Sequence, residues 1–116
     1  MKFVKNYLFK TWNDWNHAIA FSAEDFYNQF HYYPNYLLAN DYTLSQIDFI
    51  ASIRPDISPN EIGSFSNEEK GYEISFCIEN ELLNKEFTLV FDDEADKDAP
   101  IVNLPKSYPV RVLPKV

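Results

Sequence analysis

The chain has 116 residues, 46% hydrophobic and 17% aromatic, with a formal net charge of -8, one cysteine and two glycines. That length makes a single domain, 1–116, that buries roughly 65% of the surface its unfolded chain exposes, and the aromatic content excludes disorder at this charge. The lone Cys77 excludes an internal disulfide, no run approaches the roughly 20 apolar residues of a membrane span, and MKFVKNYLFK breaks each apolar run before a signal-peptide core forms, so the expectation is a cytoplasmic protein of a reducing compartment.

In chain order, KFVKNYLF fits a strand with Phe3, Tyr7 and Phe9 on one face, although Val4 and Leu8 also fit a helical turn. Thr11 followed by Asp14 is a helix-start signature, and Trp12, Trp15, Ile19, Ala23, Phe26 and Phe30 then form one apolar stripe. The pair Ser22 and Asp25 leaves open a break near Phe21, and Pro34 stops the helix in HYYP. Tyr36, Leu37 and Leu38 form a short strand; Thr43 and Gln46 make a capping box for a second helix, roughly 44 to 53, with Leu44, Ile47 and Ile50 or Ala51 on one face.

Residues 54 to 71 are punctuation, with one helical turn possible from Ser58 to Glu61. The clearest strand alternates Tyr72, Ile74, Phe76 and Ile78 with Glu73, Ser75, Cys77 and Glu79. Phe87, Leu89 and Phe91 alternate with Glu86, Thr88, Val90 and Asp92, and NELLNK between the two runs predicts a hairpin. A last run, KSYPVRVLP, places Tyr108, Val110 and Val112 on one face, and Pro109, lacking a ladder donor, predicts an edge strand. Two or three N-terminal helices on one face of a mostly antiparallel sheet of four to five strands is the α+β class that this order implies.

Charge is local. Residues 61 to 100 carry twelve acids against Lys70, Lys85 and Lys97, a net of -9. Such a field disfavours nucleic acid and anionic membrane and favours cations or a basic protein surface. In the hairpin reading Glu73, Glu79, Glu86 and Asp92 share the outer face, with Ser75, Cys77, Thr88 and Val90 as a less polar centre. That face is read either as solvated surface or as an anionic docking platform.

The run FDDEADKDAP offers Asp92, Asp93, Glu94, Asp96 and Asp98, but a calcium loop needs Gly and Glu where Lys97 and Asn103 stand, so no dedicated metal site is expected. His17 and His31 lack helical zinc spacing, Cys77 sits among acids that blunt a thiolate, and Gly63 and Gly71 cannot build a phosphate cradle, so neither catalytic residues nor a cofactor are expected. Phe21, Tyr27, Tyr32 and Tyr33 fall off the helical stripe and suit either sheet packing or an exposed patch.

The functional expectation is a non-catalytic protein-binding domain for a basic protein, in its narrower form an inhibitor or immunity-type partner of a nucleic-acid-binding protein. The alternative is a small enzyme or small-ligand protein with a pocket between helix and sheet. A cleft holding His17 or His31 beside a buried carboxylate would favour that alternative.

Overall fold

A computed structural model of the chain describes residues 1–53, 64–94, 101–103 and 109–111. The expected helical turn at Ser58 to Glu61, the acids Asp96 and Asp98, the strand ends Tyr108 and Val112, and the side chains of Ile50 and Ala51 lie outside the described residues. The class is α+β: β1 (Lys2–Leu8), α1 (Trp15–Phe30), β2 (Tyr36–Ala39), α2 (Asp41–Ile53), β3 (Ser64–Asn67), β4 (Tyr72–Ile78), β5 (Glu86–Asp92), β6 (Ile101–Asn103) and β7 (Pro109–Arg111). One sheet takes the strands in the order β1-β5-β2-β4-β7-β6, with β3 beside the first half of β4.

The opening segment is a strand because its exposure alternates with period two, Phe3, Lys5 and Tyr7 turned inward. Helix α1 starts at Trp15, later than the Thr11 signature implies, and Asp14 at its start makes no side-chain capping bond. Trp12 therefore stands before the helix, half-buried against Phe9 and Tyr42. The helix runs unbroken past Ser22, because Trp15, Ile19, Ala23 and Phe26 are buried along its length and a break would expose half of them. It ends at His31, whose backbone takes the left-handed conformation (φ 65°) and donates its N–H to the Tyr27 carbonyl.

Helix α2 is capped by Asn40, whose side-chain oxygen accepts the Thr43 N–H at 2.7 Å, so the helix begins ahead of the Thr43–Gln46 box. Leu44 and Ile47 join Ile19, Phe26, Leu37, Ile74, Phe76, Phe87 and Leu89 in one core, which places both helices on the same side of the sheet. At roughly 25 cal/mol per Å² of apolar surface removed from water, this cluster is the main stabilising mass of the domain.

Two expectations about the sheet are corrected. The segments β4 and β5 are not a hairpin: β2 lies between them, parallel to β4 and antiparallel to β5. The reason is the apolar Tyr36–Ala39 segment, buried at Tyr36, Leu37 and Ala39, which satisfies its backbone groups on both edges only in a central position. Asn35 fastens the entry to that position, donating its backbone N–H to Val90 while its own carbonyl accepts from Ser75. The strand containing Pro109 is also not an edge, since β7 has β6 on one side and meets β4 at Cys77↔Arg111 on the other. Proline stands at its first residue, ahead of the β4 contact, where a missing donor is tolerated.

Candidate functional site

Alternation on the strands puts Glu73, Ser75 and Cys77 of β4 and Glu86, Thr88, Val90 and Asp92 of β5 on the side away from the helices, and the adjoining Glu79 follows β4. Insertion of β2 changes what they form together. Tyr36 and Leu38 now stand between the two rows, and Tyr36, Cys77 and Val90 pack into a second, smaller buried cluster. Thr88 is buried as well and donates its hydroxyl to Asn6. The expected less polar centre is therefore interior, apart from the half-buried Ser75, and a partner meets only its rim.

The four acids divide between opposite ends of the sheet. Registers through Tyr36↔Ser75 and Tyr36↔Val90 place Glu73 level with Asp92, and those through Ala39 place Glu79 level with Glu86. Six residues of extended chain, about 20 Å, separate the two levels. Within each level β2 holds the carboxylates two strand spacings apart, roughly 9.6 Å, which relieves the repulsion that a hairpin would impose on directly opposed acids.

The Glu79–Glu86 end is tied into local structure. Glu79 accepts the Glu81 N–H at 3.2 Å, and Glu86 accepts the Leu83 N–H at 3.0 Å on one oxygen and the Asn6 amide on the other. These bonds shape the β4–β5 connection, where Lys85 takes a positive φ of 68°.

The other end carries the free charge. Beside Glu73 and Asp92 lie Asp93 and Glu94 at the close of β5 and Glu68 and Glu69 in the β3–β4 turn, because that turn directly precedes Tyr72. Five of these six acids are exposed and Asp92 is half-buried. Asp93 pairs with the Met1 amino group at 3.0 Å, raising the amine's pKa chiefly through that hydrogen bond, and Asp92 accepts the Glu94 N–H. No other ion pair at this end is found among the described residues, where Lys2 and Lys70 are the nearby lysines.

A second feature lies at the β1 side. A groove of about 590 Å³ runs between the end of β1 and the first half of α1, lined by Leu8, Asp14, His17, Ala18 and Phe21 among others. Asp14 and His17 share it, but both are exposed, so it lacks the desolvated carboxylate that acid–base chemistry requires. His31 is exposed at the far end of α1. Among the described residues no three His, Cys, Asp or Glu side chains converge as metal ligands, and no helix is long and apolar enough to cross a membrane.

Of the off-stripe aromatics, Tyr27 and Tyr33 stack at 4.5 Å and continue onto Tyr72, while Tyr32 stacks on Phe91. Phe21 stands apart from these stacks, 77% exposed. Sequence reasoning missed that Glu68, Glu69, Asp93 and Glu94 lie at the same end of the sheet as Glu73. The available signal was the turn at Lys70-Gly71, which brings the two preceding acids back beside the strand. Searches of family models, curated proteins and solved structures match nothing to this chain.

Proposed function

We propose that the chain is a small non-catalytic protein-binding domain that docks a basic surface of another protein at the acidic end of its sheet. Its narrower form is an inhibitor or immunity-type partner occupying the nucleic-acid site of a basic protein. The observation that carries this reading is the concentration of Glu68, Glu69, Glu73, Asp92, Asp93 and Glu94 at one end, against Lys2, Lys70 and the paired amino group. A field of that kind steers cations and basic surfaces across about one Debye length, roughly 8 Å at physiological salt. Of the eight outer-face residues, Glu73 and Asp92 belong to this end; Ser75, Cys77, Thr88 and Val90 support it from within the sheet, and Glu79 and Glu86 hold the opposite turn. A cytoplasmic setting suits a single buried thiol.

The test is affinity capture from native extract at low and then high salt, followed by kinetics on the captured protein. Reversal of Glu68, Glu69 and Glu73 to Lys should slow association several-fold and flatten its salt dependence, with dissociation little changed. Unchanged association across ionic strengths would reduce these carboxylates to solvated surface.

A further inference from the structure

We propose that the outer edge of β1, with the α1 flank above it, is a self-association surface that takes a second copy of this chain, antiparallel, about a two-fold axis at Asn6. This surface adjoins the acidic end of the sheet only at Lys2 and Asp92. The hydrogen-bond parity of β1 is set at both ends: the Met1 carbonyl accepts from the Asp93 N–H, and the Phe9 N–H donates to the Lys85 carbonyl. Counting inward in steps of two along the β1–β5 register, Phe3, Lys5 and Tyr7 bond to β5. The N–H and C=O groups of Lys2, Val4, Asn6 and Leu8 therefore point away from the sheet, and no described strand pairs with them. Only another extended backbone matches alternating donors and acceptors at this spacing.

Three observations select a second copy. The first is charge: Lys2, Lys5 and Lys10 nearly balance Asp14, Asp25, Glu86 and Asp92 here, so one copy of a chain of net charge -8 repels another less at this edge than at the acidic end of the sheet. The second is register. A two-fold at Asn6 sets Val4 against Leu8 of the second copy, twice, and Lys5 against Tyr7, and leaves lysine facing lysine only at the two ends, Lys2 against Lys10, whereas a two-fold at Lys5 would oppose lysine to lysine at the centre. The third is the helix. Ala18, Phe21 and Asp25 share one flank of α1, in line with Asp14 just before it, and Asp25 reaches down to Lys5 and Tyr7, which places that flank over the edge. The same rotation brings two such flanks together and covers Phe21 (77% exposed), Leu8 (69%) and Val4 (51%).

The interface is isologous and leaves no unpaired β1 edge. A seven-residue strand, three helix residues and Asp14 come to about half the number of residues per side in a standard interface, so a dissociation constant in the micromolar range is expected.

Sedimentation equilibrium across the micromolar range should show the mass rising from one chain to two. Val4→Pro deletes an outward N–H without touching the β1–β5 ladder, and Phe21→Lys charges the junction; each should weaken the dimer about tenfold or more. The register has its own readout, because a directly opposed hydrogen-bonded pair has Cα atoms about 5.5 Å apart, within disulfide reach. Asn6→Cys should cross-link to a covalent dimer under mild oxidation, and Lys2→Cys should not; the native Cys77 is buried. If Val4→Pro fails to fold by circular dichroism, the exposed positions Phe21 and Asn6 still decide. A one-chain mass throughout the range overturns the proposal, as does a dimer indifferent to Phe21→Lys whose Asn6→Cys form does not cross-link. A monomer that enriches extended segments from a peptide-display library would overturn it too, in favour of another protein's strand.

Discussion

The hydroxyl of Tyr7 on β1 donates to Oδ2 of Asp25 on α1 at 2.7 Å, and Lys5 Nζ reaches the same oxygen at 2.7 Å. One carboxylate thus fixes the angle of the helix over the edge strand. Lys5 first and Tyr7 second lower the Asp25 pKa from its ordinary 3.8, while burial first and Asp25 second raise that of Tyr7 from 10.0.

The signs give opposite limbs of a pH profile. Asp25, depressed in the folded state, contributes stability that is present above about pH 3.8 and lost as pH falls through its folded value; Tyr7, raised, contributes stability present below about pH 10 and lost as pH rises toward its folded value. Chemical denaturation of Asp25→Asn should show a flatter acid limb, and of Tyr7→Phe a flatter alkaline limb. An alkaline limb unchanged in Tyr7→Phe would detach the hydroxyl from the carboxylate.

Phe76 is 1% exposed in the centre of the core. Phe76→Ala should lower stability by about 3 to 5 kcal/mol, most of the margin of a domain this size. Urea unfolding measures this directly, and a loss below about 1 kcal/mol would remove Phe76 from the packed interior.

Asn40 does two jobs, capping α2 through Thr43 and donating to the Leu82 carbonyl and the Asn84 side chain of the β4–β5 connection. Asn40→Ala should therefore cost more than an isolated cap, about 2 to 3 kcal/mol, and Asn40→Asp should recover only the capping share. Melting of the two variants side by side distinguishes them; equal losses would mean that the connection bonds dominate.

Cys77 reports on the outer cluster. Its thiol is fully buried and contacts the Ser75 carbonyl at 3.8 Å. Modification by an aromatic disulfide reagent should be slow in the native protein and immediate in denaturant, with a native rate that follows opening of the fold. Rapid native reaction would show that the outer face from β4 across β2 to β5 is open and restore it as a docking surface.

Local sequence determined the elements. The 3.6-residue stripe from Trp15 to Phe26 and the two-residue alternations from Tyr72 and from Glu86 each reflect burial of one face, a property that neighbouring residues carry themselves. They also determined which side chains turn inward, since Ile74, Phe76 and Leu89 all reach the core. Strand order is another matter. Nothing within Tyr36–Ala39 states that it enters between β4 and β5, because that outcome depends on backbone groups of three distant segments being satisfied together. The same long-range choice separated the four outer-face acids into two ends, buried Cys77 and Val90, and left β1 with an outward row of donors and acceptors. Charge was legible as composition along the chain, but which carboxylates stand together follows from sheet register, and register is a tertiary property.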